Sequence, residues 1–310
     1  MYVCERLNGL SSMSYHGLTY PSLQAVLYAL GPDTGWTAVG ASEAGDAVGL
    51  GLALDLPAKG FTRIASLFVQ PACRRRGIGK ALLARMEDEL RERGAERAEI
   101  SYTTGKASTP AVEALLRSSG WPQPVAERLV CKCDRRMLDA PWLKEFSLHD
   151  SYSIVPWQQV TEQQLDELRD SQERDQWIPP TLLPWQYGSN FEPLNSVAML
   201  SAGSIVGWVI TQRFSSDTIV YSCSYMRPDL QHVGRILPLY VEAIRRHSAA
   251  LEIPKAIWVV PFVHASMVRF VRRRLAPFMN SVEELRVTIK SLGKEPPGAA
   301  LPPHAIAGPA

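Results

Sequence analysis

The sequence predicts an α/β protein built from two tandem copies of one domain, each a central mixed twisted sheet flanked by helices. Three observations carry this. Short apolar runs alternate with segments whose apolar residues recur every three or four positions, so strands and amphipathic helices interleave along the chain. The second half repeats the first. Ala47-Val48-Gly49-Leu50 returns as Ile205-Val206-Gly207-Trp208, Val69-Gln70-Pro71 as Met226-Arg227-Pro228, and Arg97-Ala98-Glu99-Ile100 as Ala256-Ile257-Trp258-Val259. Gly234 minus Gly77 and Pro228 minus Pro71 are both 157, and a shared offset over several elements marks a duplication. Finally, residues 67–83 run from an apolar strand through a basic, glycine-containing turn directly into a helix.

The elements follow in order. Residues 20–30 read as a helix, with Pro21 suited to its first turn. Strands 37–39 and 48–54 form a hairpin about Gly45-Asp46. Strand 62–69 leads into the glycine turn and a helix to about Arg93, which Gly94 ends. Ile78, Leu82, Met86 and Leu90 line one face of that helix. Strand 98–102, helix 110–117 stopped by Gly120, and strand 128–133 complete the first copy. The second copy reads as strand 152–155, helix 161–171, hairpin 197–211, strand 218–225, helix 234–249, strand 256–260, helix 265–274 and strand 284–289. A polar joint at 140–150 sets the boundary, giving domains 1–147 and 148–293. A tail rich in Pro, Ala and Gly, residues 294–310, has too little apolar content to fold.

Composition bounds the function. A chain of 310 residues with 46% hydrophobic content supports two cores. A net charge of +2 argues against a nucleic-acid partner. No apolar run reaches membrane-spanning length and the N-terminus lacks a signal pattern, so a cytoplasmic protein without membrane contact is expected. The five cysteines show no metal-ligand spacing; Cys131 and Cys133, two apart on a strand, share a face and read as packing residues.

The turn itself reads as an anion cradle. A helix starting at Gly77 points unpaired N–H groups outward, Gly77 and Gly79 leave the approach clear, and Arg74, Arg75 and Arg76 add charge. It is neither the G-x-G-x-x-G dinucleotide fingerprint nor a P-loop. Arg74, Gly77 and Gly79 match without a gap the R/Q-x-x-G-x-G/A motif of the GCN5-related N-acetyltransferase (GNAT) superfamily, and the turn resembles that motif. The resemblance implies two tandem GNAT domains. It implies acetyl-CoA or a longer acyl-CoA as donor, a primary amine as acceptor and no metal. It places CoA on Leu67, Phe68, Val69, Arg74, Arg75, Arg76, Gly77, Ile78, Gly79 and Lys80, with pantetheine adding as a strand where the fourth strand splays from the fifth. Copy two has Ile236 in place of the second small residue, so the cofactor is expected in copy one.

The sequence departs from the family at the chemistry. The tyrosine that protonates the leaving thiolate falls at Leu116 and the family asparagine at Thr109; in copy two these positions are Phe270 or Val271, and His264. Strand positions that often hold an acidic base are Ala65 and Ser66, and Ser222 and Cys223. The remaining candidates each have a plainer alternative: Glu99 as base or as an exposed strand residue, Tyr225 as proton donor or core aromatic, His264 as base or helix cap, and Asp55 as simply solvated. Catalysis by positioning is the further reading.

Residues 177–194, with Trp177, Trp185, Tyr187, Phe191 and several prolines, form either a lid or a loop wrapped on the core. A looser resemblance links Glu192-Pro193-Leu194-Asn195-Ser196, the Val206-Gly207-Trp208 hairpin and Asp217-Thr218-Ile219 to tandem GNAT maturases of ribosomal peptide pathways. It implies fatty acylation of a lysine or ornithine side chain. Arg245-Arg246 and Arg272-Arg273-Arg274 would then face an acyl carrier protein, or else lie on solvated helix faces. A small-molecule N-acetyltransferase and a non-catalytic CoA- or peptide-binding module are the other two classes; an aminoglycoside enzyme would want an acidic acceptor cleft.

Overall fold

The computed structural model describes residues 1–145, 148–231 and 236–293. In chain order the elements are β1 (Tyr2–Arg6), α1 (Pro21–Tyr28), β2 (Trp36–Glu43), β3 (Asp46–Leu56), β4 (Phe61–Val69), α2 (Ile78–Glu92), β5 (Arg97–Thr103), α3 (Thr109–Ser118) and β6 (Val125–Cys133). There follow α4 (Trp142–Glu145), β7 (Tyr152–Pro156), α5 (Glu162–Asp175), β8 (Val197–Ser201), β9 (Ser204–Ser215), β10 (Thr218–Met226), α6 (Pro228–Gln231), α7 (Leu237–Ala249), β11 (Lys255–Pro261), α8 (Ala265–Phe270) and β12 (Ser281–Ser291).

The chain divides into two compact units, and neither is a continuous stretch. Unit 1 holds Met1–Glu127 and the chain from Glu284; unit 2 holds Arg128–Glu283. This differs from the linear split at 147/148, and strand pairing is the reason. β6 crosses into unit 2 and pairs antiparallel with β11, from Arg128↔Pro261 to Cys133↔Ala256. β12 returns to unit 1 and pairs with β5, from Leu285↔Thr103 to Ser291↔Arg97. The joint at 140–150 is not a free linker either: Met137, Ala140 and Trp142 are buried in the unit 2 core. Each unit thus contains the last strand of the other copy.

Unit 1 has strand order β1-β2-β3-β4-β5-β12, antiparallel except for the parallel pair β4–β5. One face is covered by α2 and α3 through Ile78, Leu82, Met86, Leu90 and Leu116. The opposite face is covered by the chain from Leu7 through α1, with Tyr15, Leu18 and Leu27 packed on Leu50 and Leu52. Unit 2 repeats the plan as β7-β8-β9-β10-β11-β6, with β10–β11 parallel.

The duplication extends to backbone detail. Ala44-Gly45 and Ala202-Gly203 form left-handed two-residue turns (φ +51 and +90, +50 and +86), so the first hairpin turns one residue before Gly45-Asp46. A Cβ at Gly49 would lie 3.1 Å from the Phe68 carbonyl, and one at Gly207 3.1 Å from the Tyr225 carbonyl. β1 escaped the sequence reading because a short edge strand of mixed polarity carries no clean alternation. Helix 265–274 continues past α8 only as a wider turn over Val271–Leu275. The expected helix start at Gly234 and the tail 294–310 lie outside the described residues.

Unit 2 buries a polar chain that fixes one tautomer. Burial holds the His247 imidazole below its ordinary pKa of 6.5. Its Nε2 lies 2.9 Å from the Ile253 carbonyl, so the ring is neutral with the proton there and Nδ1 accepts from the Tyr221 hydroxyl at 3.4 Å. The unfolded imidazole takes a proton near 6.5 and the folded one only at lower pH, so falling pH favours unfolding through that window. The thermal midpoint should therefore drop as pH is lowered from 7 through the His247 range. A His247→Gln variant, scanned by circular dichroism, should show a flatter dependence over the same interval.

Candidate active site

In unit 1 a strand stops pairing. β4 and β5 run together through Thr62↔Ala98, Arg63↔Glu99 and Ile64↔Ile100 and then separate, although β4 remains paired with β3 to Val69. The cause is local. Leu52 faces Ser66 while Ala53 faces Ile64, so Ala65 is an extra residue, and such a bulge bends its strand. Residues 66–69 then present N–H and C=O groups that no neighbouring strand uses on the β5 side. An extended, amide-bearing ligand can add there as a strand.

Beyond Val69 the chain makes a single 3-10 turn at Pro71–Cys73 and takes left-handed backbone at Arg75 (φ +64) and Gly77 (φ +86). It then enters α2 at Ile78 with no side chain capping the helix, whose first N–H groups face outward as an anion cradle. Gly77 serves the left-handed step, and a Cβ there would stand 3.3 Å from the Tyr2 hydroxyl. At Gly79 a Cβ would meet only Val69 and Leu115 at ordinary contact distances of 3.7 and 3.9 Å. Internal packing does not require glycine at 79; its absent side chain clears space at the helix start. This donor set suits the diphosphate of CoA. Ile78 contributes only backbone, since its side chain is core.

The three arginines differ. Arg76 clasps Glu43 through both guanidinium nitrogens (2.8 and 2.5 Å), and this hydrogen bonding holds the Glu43 carboxyl below the usual range. Arg74 donates from Nε to the Val69 carbonyl (3.0 Å) and lies 5.6 Å from the Phe68 ring centroid. Arg75 and Lys80 make no ion pair among the described residues and stand exposed. The sequence reading missed Glu43 because it ended the strand at residue 39, four short of the carboxylate.

Comparison with known proteins bears directly on this arrangement. The model of the acetyltransferase (GNAT) family matches residues 9–121. A tandem GNAT protein from the clavulanic acid biosynthesis pathway superposes with a TM-score of 0.60 at 14% identity, covering 96% of this chain and 100% of that one. Residues 9–121 are thus similar to the GNAT family, and the chain has the fold of a tandem GNAT protein. A GCN5-related N-acetyltransferase from Sphaerobacter thermophilus gives a TM-score of 0.60 at 17% identity over 97% of this chain and 98% of its own. The glucosamine N-acetyltransferase region of a fungal multi-domain GH3 β-N-acetylglucosaminidase gives 0.55 at 12% identity over 94% of this chain and 38% of that one. These structural likenesses are of fold. No curated protein matches the sequence.

The catalytic candidates fall in different units, Glu99 in unit 1 and Tyr225 and His264 in unit 2. Glu99 is 5% exposed, against the expectation of an exposed strand residue, and accepts from Arg63 Nε at 2.6 Å before β4 and β5 part. Tyr225, in unit 2, donates its hydroxyl to the Trp177 carbonyl (2.9 Å) and stacks on that indole. His264 precedes α8 without capping it; its Nε2 is buried with no hydrogen-bond partner, and burial lowers its pKa. Leu116 is core. Asp55 accepts from Thr62 at 2.7 Å instead of being only solvated. Tyr102, which sequence reasoning missed, lies on the splayed part of β5 and donates to Glu113 at 3.1 Å; burial and Glu113 raise its pKa. Among the described residues no cluster is placed to hold a metal ion.

Unit 2 makes the same opening, and a loop packs on the face of β10 beside it. β10 leaves β11 after Tyr221↔Trp258, with Ser222 as the extra residue, 157 positions after Ala65. Trp177 stacks on Tyr225, the Leu182 carbonyl accepts from the Cys223 thiol (3.3 Å), and Tyr187 donates to the Ser222 carbonyl (3.4 Å). Residues 177–187 are therefore a wrapped loop, not a lid. Glu192 pairs with Arg213 (2.7 Å), and Asn195 and Ser196 are fully buried, while Pro193 is exposed. Arg245 and Arg246 bind Glu242, and Arg272 lies over Phe262. Burial pushes the Cys131 and Cys133 thiols up to about 12, which suits packing residues.

Gly77→Ala should cost about 1 kcal/mol for the left-handed backbone and weaken acyl-CoA binding, whereas Gly79→Ala should leave the thermal midpoint nearly unchanged and weaken binding alone. Calorimetric titration with acetyl-CoA beside thermal denaturation separates the two effects.

Proposed function

We propose that unit 1 moves an acyl group from acyl-CoA to a primary amine while unit 2 binds no CoA. The observation that carries this is the coincidence in unit 1 of a splay after Ile64↔Ile100 with an uncapped, glycine-cleared helix start at Gly77–Ile78. In the reaction the amine nitrogen attacks the thioester carbonyl, an N–C bond forms, the C–S bond breaks, the ammonium proton leaves and the thiolate takes one up. Unpaired β4 groups would hold pantetheine and the α2 N–H groups the diphosphate. Arg74, Arg75 and Lys80 would supply charge, and Arg76, held by Glu43, would fix the turn.

Among the described residues of unit 1 no candidate side chain is free to take the proton steps. Leu116 replaces the family acid, Glu99 is neutralised by Arg63, and the Tyr102 hydroxyl is committed to Glu113. The reading is therefore catalysis by positioning, with water carrying protons from an amine whose pKa is about 10. The donor is acetyl-CoA or a longer acyl-CoA. A peptide acceptor and a carrier protein are the narrower alternatives, resting only on the residues that resembled maturases, of which Asn195 and Ser196 are buried and Pro193 is exposed.

Thioester cleavage assayed with acetyl- and palmitoyl-CoA and a panel of amines tests the proposal. Arg74→Glu with Gly77→Val should abolish turnover and CoA binding, while Arg227→Glu, at the matching turn of unit 2, should leave both intact. CoA binding without turnover of any thioester would instead identify a non-catalytic module. The pH–rate profile should rise about tenfold per unit toward the amine pKa, and Glu99→Gln should lower stability without bending that line.

A further inference from the structure

Unit 1 carries an uncharged surface beside the splay that the proposed function leaves unused. Between Arg6 and Asp33 there is no Asp, Glu, Lys or Arg, although 21% of the chain is charged. The inner side of this stretch is core, through Tyr15, Leu18 and Leu27. Its outer side should carry the charge of an ordinary protein surface, and instead exposes Leu10 (88%), Met13 (51%), Tyr20 (65%) and Tyr28 (56%). The patch is anchored at the opening: Thr19 Oγ1 donates to Ser66 Oγ at 3.3 Å, and Ser66 is the first β4 residue past the Ala65 bulge. Tyr20 therefore stands where β4 leaves β5, and the His16 ring packs 5.5 Å from Tyr28 on the same segment.

Resting on the acyl-transfer reading, we propose that the acceptor is a primary amine on an aromatic or aliphatic body without a second positive charge, and that it docks against Tyr20 and its uncharged neighbours. Two physical effects converge on this class. An acceptor with further ammonium groups would lose hydration against residues 7–32, which supply no carboxylate in return. A single amine brought against an apolar surface has its charged form disfavoured, which helps supply the neutral nucleophile in a site without a protein base.

The test compares phenethylamine with spermidine and kanamycin as acceptors for the full chain saturated with acetyl-CoA, beside calorimetric titration of each amine into the CoA-bound protein. Phenethylamine should show at least a tenfold higher kcat/KM and the tighter binding. Tyr20→Glu alters an exposed side chain, so the thermal midpoint and the acetyl-CoA Kd should hold. It should raise the phenethylamine KM and Kd about tenfold while improving spermidine. Preference for a polyamine, an unchanged amine Kd in Tyr20→Glu, or a dimer by light scattering that Tyr20→Glu dissolves would overturn the acceptor class and leave acyl transfer standing. Absence of CoA binding would sink acyl transfer, and this inference with it.

Discussion

The extra residue at Ala65 is the constraint from which the site derives. A parallel pair of strands closes its own edge groups along its length, and a ligand cannot compete with that ladder. By displacing one residue, the bulge ends the β4–β5 ladder after three pairs and leaves backbone donors and acceptors facing an opening. Recognition then rests on main-chain atoms and on the start of α2, neither of which depends on a particular side chain. Such a site would not need the side chains that the resemblance places at Leu116 and Thr109.

The same backbone device in two copies has different outcomes. Unit 2 keeps the bulge at Ser222 and the early end of pairing at Tyr221, while a stretch rich in tryptophan and proline packs on Cys223, Tyr225 and Trp208, the sheet face that the chain from Leu7 through α1 covers in unit 1. Apolar burial follows from that cover: Trp208 is fully buried against Trp177 and Tyr225.

Much of the plan was legible because it is written in local patterns. The strand–turn–helix at residues 62–92 shows itself through apolar period and glycine placement, and the 157-residue offset survives in the bulges at Ala65 and Ser222. The partners of charged residues were not legible. Glu43 for Arg76 and Arg63 for Glu99 are cross-strand neighbours, and register is set by pairings distant in sequence. The exchange of β6 and β12 was hidden for the same reason, since a strand's own sequence does not name its partner.

Taken alone, the sequence determined the duplication, the α/β class and the anion-cradling turn, because periodicity and glycine conformation act over a few neighbouring residues. Tertiary structure decided where the β4–β5 ladder ends, which arginines keep their charge available and where an uncharged surface meets the splay. Those outcomes depend on groups brought together across long chain separations, and only folding sets which of them meet.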